Sequence, residues 1–220
     1  MKFKYFAFVL SILMFGKSYS QIAKGTNLIE AGFQYSLETK DDNLKTIYNY
    51  TSKSNFLFAI GFNKFFKDGV CFGANIGLVT ANQEEMDGSD RNFMDLSGVL
   101  LGLNARIYAP SIGKFNFYIN PNFTNTMMSG NLDIYKNSVL DFRLRNKVLM
   151  NNIGFGAGVT YFITPNWAVE AYLSRLLSYN YTNTYIQDPS TFDYSSETKI
   201  DFSFLPVGLD KMSVGVSCFF

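Results

Sequence analysis

IGFGAGVTYFITPNWAVEAYL, Ile153 to Leu173, is the stretch that decides the fold. Ile153, Phe155, Ala157, Val159 and Tyr161 fall on one parity; Asn152, Gly154, Gly156, Gly158 and Thr160 fall on the other. After Thr164-Pro165-Asn166 the alternation resumes, with Trp167, Val169, Ala171 and Leu173 opposite Ala168, Glu170, Tyr172 and Ser174. Successive side chains of a strand point to opposite faces. The stretch therefore predicts a hairpin with one bulky apolar face and one small or polar face.

The same unit recurs along the chain. Strands are predicted at about 27–38, 53–63, 70–80 and 93–108, then from Phe115, through the two strands of the opening hairpin, and finally from Met212 to Phe220. Short turns near residues 67, 112 and 165 alternate with long polar connections at about 40–52, 81–92, 126–147 and 178–199. Pro121 interrupts the fifth strand and predicts a bulge or a weakened ladder, because proline has no N–H to donate. Eight strands with short turns at one end and long loops at the other is the pattern of an eight-stranded antiparallel transmembrane β-barrel.

The soluble alternative is a lipocalin-like barrel, which lines its interior with apolar groups. Here one face carries Gly, Ala, Ser, Asn and a few charges, and the other is dense in Phe, Ile, Val and Leu. So much apolar surface is tolerated in lipid and not in water. The bilayer also requires closure, since an open sheet edge finds no hydrogen-bond partner there. Phe65, Phe66, Phe115, Phe162 and Trp167 cluster at the short-turn end and read as an interfacial aromatic girdle.

Residues 1–20 read as a signal peptide: Lys2 and Lys4, an apolar run from Tyr5 to Phe15, then Ser18 and Ser20 before a cleavage point at Gln21. Residues 21–220 form the barrel domain, and the expected location is the bacterial outer membrane. The net charge is +1, which gives no basic face for nucleic acid. The chain has no His, so histidine-based catalysis and His-ligated metals are excluded. No spacing singles out another catalytic set, a metal site or a cofactor. The expectation is a non-enzyme. Cys71 and Cys218 lie on opposite faces by parity, which argues against a disulfide.

Glu30, Arg106, Glu170 and Lys211 project inward by parity. A buried charge is costly unless paired, so a salt-bridged plug is expected, with Arg106 between the two carboxylates and Lys211 approaching Glu170. Tyr181, Tyr185, Phe192 and Tyr194, set among short polar residues in the last long connection, have the composition of a contact surface.

The Ser-Tyr-Ser-Gln cleavage region, the hairpins GFNKFFKDGVCFGANIG and GVTYFITPNWAVEA, and the last strand MSVGVSCFF resemble the small outer-membrane β-barrels, a group that includes OmpX-like, opacity-type and PorT-like proteins. The resemblance covers about residues 27–220 and is one of pattern. It implies insertion by the barrel-assembly machinery, with Val214, Val216 and Phe220 as the C-terminal recognition signal. The expected partners are outer-membrane lipid, that machinery, and an extracellular or envelope protein met through the loops. The expected role is adhesion, envelope integrity or a part in an export assembly, with a narrow porin-like conduit for small solutes as the alternative.

Overall fold

The computed structural model describes residues 22–44, 47–137, 139–187, 194–204 and 212–220. Residues 1–20, read above as a signal peptide, and Lys211 lie outside them. The strands are β1 (Asn27–Leu44), β2 (Ile47–Lys67), β3 (Val70–Asp87), β4 (Asp90–Tyr108), β5 (Phe115–Lys136), β6 (Val139–Phe162), β7 (Trp167–Gln187), β8 (Tyr194–Phe204) and β9 (Met212–Phe219).

Each strand pairs antiparallel with the next from β1 to β7. The ring closes through β9, which pairs with β7 from Trp167 to Leu173 and with β1 from Leu28 to Phe33. β8 continues up the same side of β7, from Leu177↔Phe204 to Gln187↔Tyr194. β9 below and β8 above thus occupy one position in the wall, and the fold is an eight-stranded antiparallel barrel.

The outward face is apolar: Ile29, Phe33, Phe58, Ile60, Phe72, Ile76, Leu101, Ile119 and Phe155 are all exposed. The inward face is polar: Asn63, Asn104, Arg106, Asn120, Asn152, Thr160 and Glu170 are buried. This inversion of a soluble core makes the wall lipid-facing. No helix among the described residues is long and apolar enough to cross a membrane.

The connections at 40–52, 81–92, 126–147 and 178–199 are not long loops. The strands run on through most of them. β3 and β4 stay in register to Asp87↔Asp90 across a turn with Gly88 at φ 61°. β5 and β6 continue to Lys136↔Val139. The backbone ladder needs no side-chain alternation to persist. Above the apolar belt polar residues stand on both faces, so strict alternation is no longer required and the sequence signal fades.

The girdle also needs correction. Phe66, Phe115 and Trp167 face outward. Phe65 is 0 % exposed inside the barrel, and Phe162 packs against the same interior cluster. Parity explains both: Phe65 follows Asn63, and Phe162 follows Thr160, on the inward-facing side.

At Pro121 the β5–β6 ladder is intact, with Pro121 opposite Phe155. The β4–β5 register skips from Asn104↔Asn122 to Ile107↔Ile119. With its amide oriented as its neighbours require, Asn120 donates from Nδ2 to the Ala105 carbonyl at 3.0 Å. A side chain thus serves the carbonyl that this stretch of ladder leaves unpaired.

Candidate functional site

The lumen is organised around Arg106. β4 brings it inward, opposite Cys71 on β3. Its Nη1 donates to both Glu170 oxygens at 3.0 Å, and its Nη2 pairs with Glu30. Glu30 also accepts from Asn63 Nδ2 at 3.1 Å. Glu170 also accepts from Tyr118 Oη and Thr160 Oγ1, each at 3.3 Å. The Arg106 guanidinium lies over the Tyr118 ring at 4.6 Å and donates to Tyr108 Oη at 3.3 Å. Every contact to the two carboxylates is a donation, which is what ionised carboxylates accept.

Two glycines make room for this set. An added Cβ at Gly61, the register partner of Glu30, would come within 2.6 Å of Glu30 Oε1. At Gly158, opposite Tyr118, it would come within 2.4 Å of the Tyr118 ring.

Below the charges the barrel is filled by apolar groups. Ile22, Leu28, Phe65, Cys71, Ala168 and Phe219 form one buried cluster, with Tyr108 and Phe162 packed against it. Phe65 meets Tyr108 at 5.7 Å between ring centroids, and Phe162 meets Phe219 at 4.9 Å. The segment before β1 crosses this end: Gly69 N donates to Ile22 O at 2.9 Å, and Gly25 N to Phe65 O at 2.7 Å. Charge network and apolar floor together obstruct the short-turn end of the lumen.

Above the charges lies a chamber of about 200 Å³, lined by Asn75, Asn104, Asn120, Asn122, Tyr172 and Leu100 among others. Tyr172 stacks on Tyr118 at 6.2 Å with the rings 8° apart. Higher still, inward-facing Leu96, Met128 and Val148 form a second apolar cluster.

The structure therefore brings Glu30, Arg106 and Glu170 together. Lys211 lies outside the described residues. Tyr108, Tyr118, Thr160 and Asn63 join the set without having been singled out as site residues from sequence, although Tyr108 shares inward parity with Arg106 on β4 and Thr160 lies on the small or polar parity of the opening hairpin. Val214, Val216 and Phe220 point outward on the lipid side. Tyr181 and Tyr185 lie on the strand extension of β7, half-buried. Tyr194 pairs with Gln187 through its backbone, while its side chain, like the whole of Phe192, lies outside the described residues. Both cysteines are free thiols.

A lipid-facing wall around a polar, obstructed lumen defines a membrane-type β-barrel. No family model and no curated protein matches the sequence. Among solved structures, the fold is similar to a major outer membrane protein from Thermus thermophilus, at TM-score 0.51 and 11 % identity over 89 % of this chain and 99 % of that one. It is also similar to the outer membrane protein OprG from Pseudomonas aeruginosa, at TM-score 0.50 and 15 % identity over 90 % and 97 %. The shared feature is the fold, that of bacterial outer-membrane β-barrels.

Proposed function

We propose that the chain is a non-enzymatic integral protein of the bacterial outer membrane that acts through its external strand extensions, in adhesion, envelope integrity or an export assembly. The observation that carries this reading is the obstructed lumen. Arg106, Glu30 and Glu170 span it, and the cluster around Phe65 and Phe219 fills it below. An eight-stranded barrel is just wide enough for its side chains to fill, and here they do so at the short-turn end. The material above the belt is extensive, since β5 and β6 run to Lys136 and Val139. The pattern likeness to OmpX-like, opacity-type and PorT-like barrels supports a chain exported by residues 1–20, cleaved before Gln21 and inserted with Val214, Val216 and Phe220 as the assembly signal.

The test is conductance of the refolded mature protein in a planar bilayer, beside an Arg106→Ala/Glu170→Ala variant. A silent wild type is expected, with current in the variant only if the apolar floor yields as well. Discrete wild-type steps would overturn the obstructed-lumen reading in favour of a narrow porin-like conduit.

A further inference from the structure

The outward face of β5, β6 and β7 changes character with height. In register, Phe123–Ile153–Tyr179 lie at the top of the apolar belt. Asn125–Asn151–Tyr181 follow, and Asn125 Nδ2 donates to Asn151 Oδ1 across the strands at 2.8 Å. Above come Met127–Leu149–Asn183, then Ser129–Lys147–Tyr185, then Asn131–Arg145–Gln187. The top two rows line a groove of about 720 Å³ on this face.

Lys147 and Arg145 are exposed and form no ion pair among the described residues. Arg143, one step higher, differs: it is held by Asp133 through Nε and Nη2, each at 2.8 Å. The same two rows continue onto β4 and β3 as Ser97 and Thr80, and as Asp95 and Asn82. Lys147 and Arg145 are the cations of these rows among the described residues, so the positive charge is confined to one side of the barrel.

The geometry points to a binding site here for the phosphorylated saccharide headgroup of an outer-leaflet glycolipid. Its acyl chains lie along Ile153 and Phe155, and its phosphate meets Lys147 and Arg145. Ser129, Asn131 and Gln187 offer hydrogen bonds to sugar hydroxyls. Height selects the headgroup. At about 3.4 Å per residue and a tilt near 40°, Lys147 and Arg145 stand roughly 10–16 Å above a 25 Å apolar band that starts at Tyr161. The headgroup layer of an ordinary phospholipid is only about 5–7 Å thick. A sugar headgroup reaches the groove, and long basic side chains reach down toward its phosphate. This inference rests on the outer-membrane reading proposed above.

The test uses refolded barrel in zwitterionic micelles, titrated with fluorescent bacterial lipopolysaccharide in its phosphorylated and dephosphorylated forms, and separately with phosphatidylglycerol. The variants are Arg145→Gln/Lys147→Gln and, as a control, Arg91→Gln, whose side chain pairs with Glu84 at 2.7 Å on another side of the barrel. The phosphorylated form is expected to bind more tightly than the other two. The double variant should lose about fivefold per cation, roughly thirtyfold in all, while Arg91→Gln leaves binding unchanged. Equal binding of the two lipopolysaccharide forms, equal binding of phosphatidylglycerol, or equal loss in Arg91→Gln would each overturn the site. Insertion into vesicles is scored separately: failure to insert counts against the barrel reading, whereas insertion without discrimination counts against this site alone.

Discussion

Replacing Arg106 with Met keeps most of the side-chain volume and removes the charge from the centre of the lumen. The side chains of Arg106, Glu170 and Glu30 are 6 %, 7 % and 15 % exposed. In the variant, Glu170 loses both of its 3.0 Å donations and Glu30 loses its ion pair. Two carboxylates then face each other across a space that water reaches poorly. Removing one partner of a buried pair costs about 3–5 kcal/mol, because the remaining charge is left uncompensated. The loss should fall in this range, even though the hydrogen bonds from Asn63, Tyr118 and Thr160 remain. The assay is equilibrium urea unfolding of the refolded barrel in lipid vesicles. Arg106→Met/Glu30→Gln/Glu170→Gln removes all three charges together and should recover most of the loss, since neutral groups of similar shape replace the ionic set. A loss below about 1 kcal/mol in Arg106→Met, or a triple variant as unstable as the single one, would refute the argument that uncompensated charge is the cost.

Phe65→Ala should destabilise the barrel by about 3–5 kcal/mol, because the ring is 0 % exposed in the floor; Phe66→Ala should cost far less in the same unfolding assay, its ring being 58 % exposed to lipid. Gly158→Val should displace Tyr118, whose ring lies where the new side chain must go, and so lower stability, and Gly158→Val/Tyr118→Phe should not recover it fully, because the contact begins at the ring itself. Above the membrane, hydrogen bonds from Arg143 hold the Asp133 carboxyl below its ordinary value. A lowered pKa in the folded state contributes stability above the unfolded carboxylate range and loses it as pH falls through the folded value; Asp133→Asn should therefore be less stable than wild type at neutral pH and converge with it in acid, as read by thermal unfolding across pH.

The sequence carried the wall of the barrel further than its ends. Within the bilayer, each residue must satisfy either lipid or lumen, so parity is enforced at every step from Ile153 to Tyr161 and from Trp167 to Leu173. Above it, polar residues stand on both faces, and β3 could run on from Thr80 to Asp87 with no periodicity to announce it. The charge triad was legible for the same reason as the wall: Glu30, Arg106 and Glu170 break an otherwise small and neutral inward parity. The depth at which they meet follows from short turns that fix register at one end. Phe65 and Phe162 show the limit of reading by residue type. Their parity placed them inside, yet aromatic character near a turn suggested the interface. Tyr108 and Tyr118 were hidden in the opposite way, as aromatic residues at an inward parity where polar neighbours set the expectation. What sequence could not supply is the packing of side chains from β1, β4, β5 and β7 around one guanidinium, which depends on the curvature of a closed sheet.

The measurement that bears most directly on the inverted barrel needs no substitution. Trp167 is the only tryptophan in the chain and is 54 % exposed on the outward face at the short-turn end. Its fluorescence in vesicles of lipids brominated at different acyl depths reports what surrounds that face. A lipid-facing wall predicts strong quenching, greatest for bromines placed near the headgroup and weaker toward the bilayer centre, and weaker quenching by a water-soluble quencher added to the vesicles. Emission indifferent to brominated lipid in folded protein would place Trp167 away from the bilayer and contradict the barrel as a membrane-spanning structure.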